Sequence, residues 1–207
     1  MAEIGIRHHA VLYALLAKHT FAKYADAADR IRVFTEQYGL KRGRRMAANA
    51  LAQGDPCDMT SFFIYGEWSP AGSCNESEMH YAADSSVSEV HVCAWFEAWK
   101  EYGLEEYGRL YCRYIDKAIA EGFAGSFTLT VREAFGYGDG RCIFFWDKAC
   151  DTDRLSEARK KNGQRYIHPF SFHAQELIDT YREVFPEDEG IIDQAKDSFS
   201  QLFGFSL

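Results

Sequence analysis

The chain lacks a basic surplus, a long hydrophobic run and the short motifs that announce a familiar chemistry. Against 23 Lys and Arg stand 31 Asp and Glu, for a formal net charge of −8. Binding to nucleic acid or to an anionic membrane relies on a basic face, so the charge argues against both as general partners. The only long apolar stretch, Ala10–Ala17, is too short to span a bilayer. No CxxC pair and no Cys/His ladder at zinc-finger spacing is present. A G-x-S-x-G elbow, a P-loop and a dinucleotide fingerprint are likewise missing. The first twenty residues are interrupted by polar groups and carry His8, His9 and His19, unlike a secretory signal. Six cysteines (Cys57, Cys74, Cys93, Cys112, Cys142 and Cys150) are therefore expected to be reduced thiols in a cytoplasmic protein.

What is present suits one folded unit. At 207 residues and 47% hydrophobic, the chain can bury a full core as a single domain. Its 16 Phe and 12 Tyr favour a packed interior or an aromatic-lined pocket. Residues 1–54 read as a helical N-terminal part: a helix over Gly5–Tyr24, a second capped by Asp26 and ended by Gly39, and a third over Arg42–Gln53. Residues 60–148 read as a sheet with central helices. Short β-type runs at Phe62–Tyr65 and Glu89–Cys93 flank a predicted loop, Ser69–Ser88. Helices over Ala94–Tyr102 and Leu104–Gly122 precede strands at Phe127–Tyr137 and Arg141–Asp147, joined by a Gly-rich hairpin at Gly136–Gly140. Asp151–Gly163 reads as a charged surface excursion. Residues 165–207 form C-terminal helices at about Phe172–Val184 and Gly190–Phe203.

This order implies an α+β fold, with an antiparallel sheet of about four strands packed by helices from both chain ends. The layout resembles 4-vinyl-reductase and vesicle-tethering-type ligand domains, an analogy that carries no function. The two ends also resemble each other. His9-Ala10 precedes Phe34-x3-Tyr38-Gly39 much as His173-Ala174 precedes Phe199-x3-Phe203-Gly204, a spacing that shared helical periodicity also produces.

The most informative segment runs from Cys112 to Phe145. It holds Cys112 and Asp116 at C-x3-D spacing, then Glu121-Gly122-Phe123, and Gly140-Arg141-Cys142 at the start of a strand. Arg42-Gly43-Arg44-Arg45-Met46 lies upstream. These elements resemble the L-2-amino-thiazoline-4-carboxylic acid hydrolase family. The resemblance implies a small-molecule carboxylate substrate and hydrolysis of a C–N bond in a cyclic amidine. Family members often carry Cys-Pro where this chain has Cys93-Ala94.

Cys112 and Asp116 are i and i+4, on one side of a helix whose apolar stripe is Leu104, Gly108, Tyr111, Ile115 and Ile119. They mark the stripe's edge, where a pocket wall would present a carboxylate; the plain alternative is a core-filling thiol and a surface carboxylate paired with Arg113 or Lys117. His91 and Cys93 lie two apart in a β-type run and should share a face, giving a thiol its imidazole. Cys142 completes the candidate catalytic set of Cys112, Asp116, Cys142, Cys93 and His91. Arg42, Arg44 and Arg45 are candidate carboxylate anchors, expected at a helix N-terminus.

No cofactor is expected, although Cys93, Cys112 and Cys142 could hold a metal with His91 or Asp116. Ring opening can proceed by thiolate addition from Cys112 or Cys93, or by water activated by Asp116 or a His. A rival reading is a non-catalytic ligand-binding or sensor domain with a pocket drawn from Phe62, Phe63, Tyr65, Trp68, Trp95 and Trp99. A homodimer through the helical ends is compatible with either.

Overall fold

The computed structural model describes residues 4–69, 74–162 and 164–207. Residues 70–73, inside the predicted loop at Ser69–Ser88, and Gly163, which closes the predicted excursion, lie outside the described residues, as do residues 1–3. Eight α-helices and four strands are described: α1 (Ile6–Lys23), α2 (Ala27–Ala52), α3 (Met59–Ile64), β1 (Glu76–Tyr81), β2 (Ser86–Val92), α4 (Ala94–Tyr102), α5 (Glu105–Phe123), β3 (Leu129–Glu133), β4 (Cys142–Trp146), α6 (Thr152–Asn162), α7 (Phe170–Val184) and α8 (Glu189–Phe203). The sheet is antiparallel throughout, in the order β1-β2-β4-β3, so the fold is α+β.

Helix α1 is buried all round from His8 to Ala17, as a helix apolar on every side must be. It packs against α2, α4, α5, α7 and α8, and one hydrophobic cluster reaches from Ala10 to Phe199.

Four predicted elements differ from the structure, the simplest being the strand predicted over Phe127–Tyr137, which is shortened to β3 and followed by a 3-10 helix at Phe135–Tyr137. The two helices placed on either side of Gly39 are one, α2. Gly39 and Gly43 do not end it; they lie where α2 crosses α5. A Cβ at Gly39 would stand 2.6 Å from the Ala118 Cβ, and one at Gly43 only 2.1 Å from the Ile119 carbonyl oxygen. The Arg42–Arg45 cluster therefore sits within a helix, where backbone N–H groups are spent on helical bonds, and not at an N-terminus. The third difference is Phe62–Tyr65, which belongs to α3 and its C-cap, not to a strand. The Asp58 side chain accepts from the Ser61 N–H at 2.8 Å and caps that helix. Fourth, the predicted loop contains β1. Five of its six residues are exposed, so it has no apolar alternation to read. The charged excursion is α6, with Leu155 its buried residue.

Pairing fixes which side chains share the sheet's inner face. Val90 is opposite Cys142, Ser88 opposite Phe144, and Ser86 and Leu129 flank Trp146. Period-two alternation turns this set towards α5 and leaves Glu89 and Ile143 on the outer face.

Because backbone and not a flexible side chain meets the added methyl, Gly43→Ala should cost at least about 2 kcal/mol. In thermal unfolding this is a fall in Tm of roughly 4–8 °C. Gly190→Ala, where the added Cβ meets nothing within 4 Å, should leave Tm unchanged or slightly higher.

Candidate active site

Between α5 and the inner face of the sheet lies a cavity of about 200 Å³. Its roof is the α5 stripe through Tyr111, Ile115 and Ile119, bordered by Cys112 and Asp116. Its floor is Val90, Cys142 and Phe144. Cys93, Trp95, Trp68 and Arg42 close the remaining sides. Three thiols from three elements thus meet one carboxylate and one guanidinium.

The predicted site residues divide here. Arg42, Cys93, Cys112, Asp116 and Cys142 line the cavity; His91, Arg44 and Arg45 do not. His91 is exposed because a register shift breaks the alternation. Glu76 pairs with Val92 while the next residue, Ser77, pairs with Val90, which leaves His91 as the extra residue of a bulge. Beyond it the chain enters α4 at Cys93, so the thiol turns inward without its expected imidazole. Arg44 faces solvent. Arg45 binds Glu67 (Nε to Oε1, 2.5 Å) and Glu176 (Nη2 to Oε2, 2.9 Å) instead. From the aromatic set, Trp68 and Trp95 reach the cavity, whereas Tyr65 and Trp99 are buried in the core.

Arg42 is the buried cation of the site. Its Nε donates to Glu67 Oε2 at 3.1 Å and its Nη1 to the Tyr111 hydroxyl at 3.3 Å. Burial works against its charge, but Tyr111, Tyr38 and Glu67 outweigh it and hold the guanidinium above its ordinary value. Glu67 has no exposed side-chain surface and serves both arginines. Nothing in its sequence surroundings, Gly66-Glu67-Trp68, distinguishes it from a surface carboxylate.

Asp116 differs from every other carboxylate near the cavity, having no ion pair or side-chain hydrogen bond to another described residue. Protein surrounds it while the cavity keeps it accessible. Burial pushes its pKa up to about 6, partly offset by the positive charge of Arg42. Burial also raises Cys93 to about 11 and Cys142 to about 12, and lifts Cys112 well above the usual thiol range. All three thiols are therefore protonated at neutral pH, Cys93 even at the start of a helix where a thiolate is ordinarily favoured.

Two imidazoles lie behind this wall. His9 Nδ1 accepts from Trp95 Nε1 at 3.2 Å, so its Nε2 carries the proton towards the Tyr38 hydroxyl 3.0 Å away. His173 stacks on Trp68 at 4.0 Å and its Nε2 lies 3.3 Å from the Glu67 carbonyl oxygen. The two rings, paired in the weak internal repeat, meet with centroids 6.2 Å apart. Burial, reinforced by Arg42, lowers His9 to about 3 and His173 to about 2, so both are neutral. Among the described residues no group of three or more His, Cys, Asp and Glu side chains is placed to hold a metal ion. None of the described helices is long and apolar enough to cross a membrane.

The family described as L-2-amino-thiazoline-4-carboxylic acid hydrolase matches residues 4–146. The chain belongs to this family. Every residue lining the cavity lies inside the matched segment, whereas His173 and Glu176 lie beyond it. Comparison with curated proteins and with solved structures gave no significant match. The name of the family suggests a hydrolase of the L-2-amino-thiazoline-4-carboxylic acid hydrolase type.

Asp116 also links the site to stability. Its folded pKa lies above the unfolded value, so its contribution is complete below the unfolded pKa and is lost as pH rises through about 6. Asp116→Asn should thus be more stable than wild type near pH 8 by on the order of 2 kcal/mol, with little gain near pH 4. Urea unfolding at both pH values measures the difference.

Proposed function

We propose that this chain hydrolyses the ring C–N bond of a small cyclic amidine bearing a carboxylate, similar to 2-aminothiazoline-4-carboxylate. The observation that carries the reading is that Asp116 and Arg42 line one small cavity without pairing with each other. Such a substrate has a cationic amidine at one end and a carboxylate at the other, the reverse of that pair. Arg42 keeps Nη2 for the substrate carboxylate while Glu67 and Tyr111 hold the rest of its fork. The amidine then lies against Asp116.

The chemistry follows from the protonation states. Water adds to the ring carbon between sulfur and nitrogen, and Asp116 takes its proton as the C–O bond forms. The same proton passes to the ring nitrogen as the C–N bond breaks, and the hydroxyl proton moves to Asp116 as the carbonyl forms and from there to the amine, leaving a thiocarbamate and an ammonium group. Support for water over a thiolate comes from the three raised thiols, which no basic imidazole accompanies and which the neighbouring Asp116 carboxylate, a far weaker base than a thiolate, would ionise only slightly. His91 is exposed, and His9 and His173 are too weakly basic. The thiols then act as a compact, weakly polar wall.

Single-turnover incubation with 2-aminothiazoline-4-carboxylate tests this reading. Asp116→Asn should slow ring opening by about 10²–10⁴-fold. Cys112→Ser should keep most of the rate, with no covalent adduct seen by mass spectrometry on wild type. Loss of turnover in Cys112→Ser together with a trapped adduct would return the mechanism to thiolate addition. A base must be ionised, so kcat/KM should rise with pH and level off above about 6. Absence of turnover in folded wild type would favour a binding or sensor role for the cavity.

Arg42→Lys keeps the charge but not the fork that engages Glu67, Tyr111 and a carboxylate together. It should raise KM by roughly tenfold or more while kcat falls less. Steady-state kinetics separate the two effects.

A further inference from the structure

A second cavity, also about 200 Å³, adjoins the first. The two share Asp116, Ile119 and Phe144. The sheet explains why they lie end to end. Stepping along β4 by two residues passes from Cys142, opposite Val90, to Phe144, opposite Ser88, and then to Trp146, beside Leu129. Cys142 belongs to the first cavity, Phe144 to both and Trp146 to the second. On the roof, Cys112 belongs to the first and Asp116, one helical turn later, to both. The carboxylate therefore stands at a junction.

The two compartments differ in chemistry. The first carries Arg42 and the thiols. The second is walled by Phe62, Phe63, Leu129 and Trp146, with Ser88 as its single hydroxyl. Its aromatic rings hold one another in place: Phe62 lies 5.2 Å and Phe63 5.4 Å from the Trp146 ring, centroid to centroid. A rigid apolar compartment of this size solvates water poorly and accommodates a benzene-sized group well. The bare thiazoline carboxylate, held between Arg42 and Asp116, presents nothing to it.

We propose that the compartment walled by Phe62, Phe63, Leu129 and Trp146 is a substrate subsite, and that this chain acts on cyclic amidine carboxylates bearing an apolar, ring-sized substituent on the amidine nitrogen. The inference rests on the ring-opening reading for the placement of the amidine at Asp116. An N-linked group directed away from the Arg42 end leaves the first compartment at that junction and enters the second. Ser88 sits beside the junction as a donor or acceptor, and the aromatic walls supply edge and face contacts for a ring. Selectivity for the substituent comes from apolar burial, not from charge.

Two measurements test the subsite separately from the reaction. In the first, kcat/KM is compared for 2-aminothiazoline-4-carboxylate and its N-benzyl derivative. Wild type should favour the benzyl compound by about tenfold or more. Leu129→Phe, which fills the compartment, should lower that ratio by a similar factor. Phe63→Trp narrows the opposite wall and replaces it if the first variant does not fold. A ratio near one in wild type, or a ratio unmoved by either filling variant, overturns the proposal. The second measurement is thermal unfolding with benzene as the probe. Benzene should raise Tm of wild type and not of the filled variant; no shift in wild type overturns the subsite. If neither substrate is opened yet benzene binds and filling abolishes it, the ring-opening reading fails while the apolar subsite stands.

Discussion

The close crossing of α2 and α5 is the constraint on which the site depends. Gly39 and Gly43 let the two backbones approach to distances that no side chain would permit, and Gly122 does the same from the other helix, where a Cβ would lie 2.4 Å from the Leu40 carbonyl oxygen. Arg42 is carried into the protein by this approach, between the two glycines of its own helix. There it reaches the Tyr111 hydroxyl of α5 and falls within electrostatic range of Asp116. A wider spacing would leave the guanidinium short of the cavity. The Arg-Gly pair that resembles the family element thus joins a packing requirement to a charge requirement.

Burying that cation needs compensation, and the structure provides it through Glu67. A buried ion pair is seldom a net source of stability, because desolvation consumes most of the attraction. Its value here is orientation. With Glu67 on Nε and Tyr111 on Nη1, the guanidinium has one setting relative to the cavity. Arg45 and Glu176 extend the network towards α7, so the C-terminal helices steady a site whose lining residues all precede them. Asp116 was left out of this network. Its lack of a partner among the described residues, joined to its burial, is what brings its titration close to neutrality, and a paired carboxylate in the same place would be ionised throughout.

Much of the fold was legible because it is written in short-range periodicity. The α5 stripe, the β3–β4 hairpin and the placement of Cys112 and Asp116 at the stripe's edge follow from 3.6-residue and two-residue repeats. Gly39 misled, since a glycine that ends a helix and one that lets two helices touch look alike in a single chain. Phe62-Phe63-Ile64 misled because a short apolar run fits helix or strand equally, and the capping carboxylate of Asp58 decided between them. β1 gave no signal, because a strand exposed on both faces has no alternation. The pairing of His91 with Cys93 failed at a bulge, a one-residue irregularity that reverses which face a side chain takes.

The sequence by itself determined the fold class and the family, through Cys112, Asp116, Gly140-Arg141-Cys142 and the Arg42-Gly43 element. These are properties of neighbours along the chain or of family pattern. Only the tertiary structure decided which basic residue faces the cavity, that the three thiols converge there, and that Asp116 stands between two compartments with no ion-pair partner among the described residues. The reason is physical. Helix and strand periods are set by backbone geometry within a few residues, whereas cavity membership, ion pairing and titration depend on desolvation by segments far apart in sequence.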